Sequence, residues 1–246
     1  MIAKVIGWGA DRAAAIGTLR RALDSFVIRG ISHNVPFLSA VLGHDDFGAG
    51  RFTTDFIAET FPEGFTGAVH DERDRADLLA VAAVIHQRGV ERDNAVSGRL
   101  SGTASSPSAD WVVRIDDADY PVHIESVNGG YAVSVPKGPA RRVETDWSPG
   151  AMLFTGEIDG APIDVQVSRA GAGYRLLHGP ANCTALVLTP RAAVLAALMP
   201  KKVPPDRSRQ LLSPMPGLLV SIAVKQGQTV KTGEELAVIE AMKMEN

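Results

Sequence analysis

One short run in this 246-residue sequence combines residue types and spacing suited to chemistry on a side chain: Glu240-Ala241-Met242-Lys243-Met244. A lysine flanked by two methionines suits enzymatic acylation. The amine has to be offered to another protein's active site, which asks for a tight turn. The thioethers supply flexible, polarizable apolar surface for that encounter. Acylation exchanges the ammonium charge for a neutral amide tether. A solvated surface charge is the competing reading of Lys243, and the surrounding residues weigh against it. Ser213-Pro214-Met215-Pro216-Gly217 leads into Leu218, Val220, Ile222 and Val224, which alternate with Leu219, Ser221, Ala223 and Lys225. That period of two predicts a strand with a clear inner face. Gly227 and Gly233 mark turns, and a second strand over Glu235 to Ile239 runs straight into the lysine motif.

No other group of residues competes with it. The phosphate-cradling Gly-x-x-x-x-Gly-Lys, the dinucleotide Gly-x-Gly-x-x-Gly, the zinc-binding His-Glu-x-x-His and the Gly-x-Ser-x-Gly elbow are all missing. The six histidines (His33, His44, His70, His86, His123, His178) show no i, i+2 or i, i+4 pairing, and each reads as a surface or packed residue. Asp116, Asp117 and Asp119 have the chemistry to hold a cation, but they lie between two strand-like runs, where a solvated turn is the simpler reading. Cys183 falls inside a strand-like run and reads as a packed apolar residue.

The elements that must position these residues follow from the apolar patterning. Met1 to Trp8 reads as a strand. Asp11 stands at the N-cap of a helix whose stripe is Ile16, Leu19, Leu23, Phe26 and Val27, with Gly30 as its stop. Asn34 with Pro36 opens a second helix that Gly43 closes, and a third covers Thr54 to Thr60 before Pro62. From Asp74 to Gln87, polar ends flank Leu78-Leu79-Ala80-Val81-Ala82-Ala83-Val84-Ile85, a helix apolar on every side, which must be surrounded. Eight strand-like runs follow, at 111–116, 120–127, 131–135, 141–146, 152–158, 162–168, 174–178 and 183–188. Asn128-Gly129, Asp159-Gly160 and Gly171-Ala172-Gly173 punctuate them. An antiparallel barrel of about eight strands around the apolar helix meets that packing demand. A sandwich with the helix across one face is the alternative. A short helix over Ala192–Met199 precedes residues 200–210, whose three prolines and four basic residues read as an extended linker.

Composition narrows the classes. Lys+Arg 25 against Asp+Glu 28 gives −3, with no long basic run, so nucleic acid is not an expected partner. The longest apolar runs are eight residues, far short of the ~20 that span a bilayer, so no membrane association is expected. Asp11 and Arg12 interrupt any signal-peptide core. A single cysteine cannot form an intramolecular disulfide, which suits a reducing compartment.

Glu240-Ala241-Met242-Lys243-Met244, with the Ser213–Gly217 strand entry about thirty residues before it, resembles the biotin attachment domain of biotin-dependent carboxylases. Lipoyl domains are similar in fold, but place Asp or a similar residue before the lysine and Ala after it. The resemblance covers the whole chain. Residues 1–66, with Met1-Ile2-Ala3-Lys4, Asp11 to Ile16 and Gly30-Ile31-Ser32-His33-Asn34, look like the end of a biotin carboxylase C-terminal subdomain, an α/β piece. The apolar helix and strand meander over 67–199 look like the BT domain that joins biotin carboxylase to carboxyltransferase, the propionyl-CoA carboxylase α family being the nearest match. Residues 211–246 look like the N-terminal half of a biotinyl carrier domain. The implied fold class is therefore α+β and multidomain, with the barrel flanked by these two pieces.

The resemblance implies a function as well. Biotin would be amide-linked to Lys243, with Glu240, Ala241, Met242 and Met244 as its attachment motif. Lys243 would carry carboxybiotin from an ATP-dependent ligase step to propionyl-CoA, giving methylmalonyl-CoA, with no catalytic acid, base or metal ligand in this chain. ATP and its divalent metal would belong to residues upstream of Met1, and the return strands of the biotinyl domain would follow Asn246, so that the chain is an internal fragment. The implied partners are a carboxyltransferase β subunit and biotin protein ligase. The implied compartment is the cytoplasm, or the mitochondrial matrix in a eukaryote. Methylcrotonyl-, geranyl- or acetyl-CoA carboxylase is the alternative within the class, and a non-catalytic assembly module the alternative outside it.

Overall fold

A closed eight-stranded barrel dominates the computed structural model, which describes residues 3–67, 72–97, 108–135, 138–200, 212, 218–231, 233–241 and 244–245. Two compact units divide the chain, residues 1–199 and 200–246.

In the first unit, Asp11 accepts the Ala14 N–H at 2.8 Å and caps α1 (Arg12–Ser25). α2 (Val35–Gly43) has Pro36 in its first turn, where a missing N–H costs nothing. α3 (Asp45–Ala49), not expected from the sequence, starts where His44 Nδ1 accepts the Asp46 N–H at 3.2 Å. α4 (Phe56–Thr60) follows. Two expectations fail here. Residues 3–9 form no strand, since a strand needs a paired neighbour and a closed barrel offers no free edge. The first helix stops at Ser25, so Phe26 and Val27 lie beyond it, and Gly30, at φ 83°, bends the connection to α2 instead of ending α1.

α5 (Glu72–Ala95) extends past the expected span at both ends. From Leu78 to Ile85 no residue is more than 3% exposed. Each buried Leu, Val or Ile there contributes about 1.5–3 kcal/mol relative to exposure. The wall around it is β1 (Asp110–Ile115), β2 (Ala118–Val127), β3 (Gly130–Ser134), β4 (Arg141–Thr145), β5 (Leu153–Ile158), β6 (Ala161–Ala170), β7 (Gly173–His178) and β8 (Ala181–Leu188). All neighbours are antiparallel, and β8 closes on β1 through pairs such as Val113 with Val187. The sandwich alternative is excluded. Eight strands enclose little more than a layer of side chains. Ala80, Ala82 and Ala83 keep the helix thin where Val113, Val133, Val143, Phe154, Val165 and Leu176 converge, all at 0% exposure.

Among the described residues, five two-residue hairpin loops carry a positive φ, at the second residue alone in Asn128-Gly129 and in the pattern that matches strand twist in the other four. Both central residues have it at Asp116-Asp117 and Asp159-Gly160, and the first has it at Gly171-Ala172 and Gly179-Pro180. Polar groups close the ends of the tunnel. Arg88 donates to the carbonyls of Thr145 (2.5 Å) and Trp147 (2.9 Å), Tyr131 donates to Glu91 (2.8 Å), and Asp77 faces Arg141 at 3.5 Å.

The helices of residues 12–60 are seated on the outside of this wall. Gln166, on β6, donates to the carbonyls of Leu23, Asp24 and Phe26 at 3.1–3.4 Å and so caps the C-terminal end of α1 from another element. Asp24 accepts the Gly179 N–H at 2.7 Å, Arg29 donates to Val167 O at 2.7 Å, and the Asn182 N–H reaches Gly67 O at 2.9 Å. α6 (Pro190–Ala197), capped by Thr189, begins and ends two residues before the expected 192–199. Among the described residues, no helix is long and apolar enough to cross a membrane. Residues 201–210 of the expected linker lie outside the described residues.

The second unit contains a three-stranded antiparallel sheet of β9 (Leu218–Ile222), β10 (Ala237–Ala241) and β11 (Met244–Glu245), in the order β11-β10-β9. The expected strand over 218–225 ends at Ile222, and its inner face is not buried: every residue of β9 is exposed. A face becomes an interior only when a second layer packs on it, and among the described residues none does.

Candidate functional site

Two reciprocal hydrogen-bond pairs of one kind lie between β9 and β10. In residues 225–228 the Gln228 N–H donates to Lys225 O (3.1 Å), while Gln228 Oε1 accepts the Lys225 N–H (3.1 Å). At Lys231 and Glu234 the same reciprocal pair recurs, at 3.1 Å through the backbone and 2.9 Å through Glu234 Oε2. Gly227 (φ 83°) and Gly233 (φ 88°) take the left-handed position each turn needs. Gln228 and Glu234 escaped the sequence reading, although Lys-x-Gly-Gln and Lys-x-Gly-Glu six residues apart are visible there.

These turns bring β10 back along β9. Ala237 pairs with Ile222 and Glu240 with Leu218, with a register shift between Val238 and Ile239 that leaves Val220 as the extra, unpaired residue of β9. On its other side β10 pairs with β11: Glu240 opposite Glu245, and Ala241 opposite Met244. Two positions separate that last pair. They are Met242 and Lys243, which lie outside the described residues, as do Ser213–Gly217.

Most of the other residues singled out by chemistry are engaged elsewhere. Asp116 and Asp117 are the central residues of the β1–β2 turn. Asp119 takes a bidentate grip from Arg114 at 2.6 and 2.9 Å, which holds its carboxyl below the usual range. Among the described residues, no group of three His, Cys, Asp or Glu side chains is placed to hold a metal. His123 bridges Asp110 (2.7 Å) and Glu125 (3.1 Å), and the hydrogen bond to Asp110 raises its pKa. His86 stands edge-on to Trp111 with centroids 4.6 Å apart, and burial lowers its pKa. His178 Nδ1 bonds the Asp164 carbonyl at 2.8 Å. Cys183 is buried in β8, and burial pushes its thiol up to about 12. His70 lies outside the described residues.

Known families divide this chain along its elements. The model of the propionyl-coenzyme A carboxylase BT domain matches residues 78–202, half of the chain, from the apolar helix through the barrel to α6. The chain belongs to the propionyl-coenzyme A carboxylase BT domain family. On either side of the BT domain, residues 1–59 match the biotin carboxylase C-terminal domain, and residues 209–246 match the biotin-requiring enzyme family. The propionyl-CoA carboxylase alpha chain of Ruegeria pomeroyi is 47% identical over 246 residues, all of this chain and 36% of that relative. The mitochondrial propionyl-CoA carboxylase alpha chain of Mus musculus is 34% identical over 251 residues, all of this chain and 34% of that relative. The chain thus spans about a third of the length of the curated relatives it matches. The closed barrel threaded by α5 is the BT domain of this family, and the β10–β11 hairpin lies within the biotin-requiring match.

Proposed function

We propose that this chain is the biotin-carrying, subunit-joining part of a propionyl-CoA carboxylase alpha subunit. The observation that carries this reading is the β10–β11 register, which leaves Met242 and Lys243 alone between the paired residues Ala241 and Met244. A lysine two positions after Ala241 and one before Met244 in sequence suits covalent attachment, since its amine can enter a modifying enzyme's active site and its amide can later enter others. Biotin bound there supplies a ureido nitrogen that takes up and releases a carboxyl group. Lys243 acts as the tether and as neither acid nor base. Glu240, Ala241, Met242 and Met244 form the surface a biotin protein ligase reads.

Residues 1–66 are assigned to the end of a biotin carboxylase domain, 67–199 to the BT domain, 200–210 to a linker and 211–246 to the carrier segment. ATP and its metal act on the carboxylase side, the barrel docks a carboxyltransferase β subunit, and propionyl-CoA is the acceptor, giving methylmalonyl-CoA. Tethering keeps the carried group at high local concentration near both sites.

Intact mass after co-expression with a biotin ligase tests the attachment. A biotinyl increment that disappears in Lys243→Arg supports the reading, and an unmodified wild-type chain leaves an assembly module. Co-purification with the β subunit, followed by assay of acyl-CoA preference in the reconstituted enzyme, tests the partner and the substrate.

A further inference from the structure

Two recesses meet at Arg29. The larger, of about 350 Å³, lies between residues 27–36 and strands β6–β8. The smaller, of about 230 Å³, is floored by Ile85, Trp147 and Tyr174, and shares Arg29, Val167 and Ser168 with the first. Arg175 lines the larger recess and Arg169 the smaller, and no aspartate or glutamate lines either. That is a marked local imbalance in a chain with more acidic than basic residues.

The three guanidiniums are only lightly engaged. Arg29 donates to Val167 O at 2.7 Å, Arg175 to Asn182 Oδ1 at 2.9 Å, and Arg169 lies over the Tyr174 ring at 4.8 Å. Each guanidinium carries five N–H donors in a planar fork suited to oxyanions. His33, in the same wall, has a buried Nδ1 without a hydrogen-bond partner. α2 opens beside it, with no side-chain cap from Asn34.

We propose that this groove binds an organic phosphate, its oxygens held by Arg29 and Arg175 and its apolar body lying toward Trp147 and Tyr174. Charge without a carboxylate selects the anion. The recess lined by Ile85, Trp147 and Tyr174 selects an organic ester over the bare ion, because apolar walls reward a ligand with apolar surface. This site depends on neither Lys243 nor biotin.

The test is a titration of the full chain, followed by amide shifts, with phenyl phosphate, inorganic phosphate, and sodium chloride at matched ionic strength. Saturable shifts at Gly30, Ser32, Ser168 and Asn182 are expected, with phenyl phosphate binding more tightly than inorganic phosphate. Arg175→Gln, at an exposed position, should weaken binding about tenfold (~1.4 kcal/mol) without moving the melting temperature. Arg175→Lys should weaken it less, since the charge survives and the fork does not. Equal affinity for the two phosphates would overturn the organic body and leave a free-phosphate site. Shifts reproduced by chloride, absence of saturation, or unchanged binding by Arg175→Gln would overturn the site itself.

Discussion

Gln166 donates its side-chain amide to the carbonyl oxygen of Asp24 at 3.1 Å, a bond that joins a barrel strand to the last turn of a helix 142 positions earlier. The same amide reaches Phe26 O, and Leu23 O, which also accepts the Phe26 N–H, so one buried side chain serves the carbonyls at the end of α1. Gln166→Leu keeps the approximate volume and removes the donor. We expect a loss of about 1–3 kcal/mol, the cost of leaving buried carbonyls unpaired, read from urea unfolding. An unchanged midpoint would mean that α1 is held by apolar contact alone.

Ala82, at 0% exposure, tests the threaded helix most sharply. Ala82→Glu would place an unpaired carboxylate among the barrel's inward side chains. A cost of about 3–5 kcal/mol is expected, by analogy with a broken buried ion pair. A variant that kept the wild-type melting temperature would put α5 on the surface.

Asp159 gives a pH-dependent prediction. Its carboxylate accepts the Arg142 N–H at 2.9 Å and an Arg141 N–H at 3.0 Å, and its pKa is lowered, the Arg142 bond being the largest cause. A carboxyl held below its unfolded value contributes stability at pH above the unfolded pKa of 3.8, and that contribution is lost as pH falls through the folded value. Asp159→Asn tolerates the positive φ of 52° and isolates the charge. It should be less stable than wild type at pH 7, with the gap closing below pH 3.8 in thermal scans across pH. A gap independent of pH would assign the effect to turn geometry.

Cys183, with its thiol pushed up to about 12, is a native-state clock rather than a nucleophile. Alkylation at neutral pH should be slow and should accelerate with urea in step with unfolding. Fast labelling of the folded chain would show an opening of β8 from the wall.

If the barrel docks the β subunit, deletion of residues 200–246 should leave that association intact, because residues 1–199 form a compact unit by themselves. Pull-down with a tagged β subunit measures it. Loss of binding would assign the contact to the carrier segment.

The sequence by itself determined the parts whose physics is local or periodic. All eight barrel strands were legible from short alternating runs between turn residues, because a half-buried strand writes its two faces into its own residues. The run from Leu78 to Ile85 announced a surrounded helix, and the lysine motif was readable as five consecutive residues. Tertiary structure alone decided the rest, since partners distant in sequence leave no local mark. Closure of the barrel rests on β8 pairing with β1, more than seventy residues apart. Met1 to Trp8 read as a strand, yet no edge in the described structure pairs with its described residues, 3–8. Val220 and Ile222 carried the alternation of an inner face, yet they stay exposed because no second layer covers them among the described residues. Gln166, an unremarkable glutamine in its strand, became the cap of α1 only once the barrel had brought β6 beside that helix.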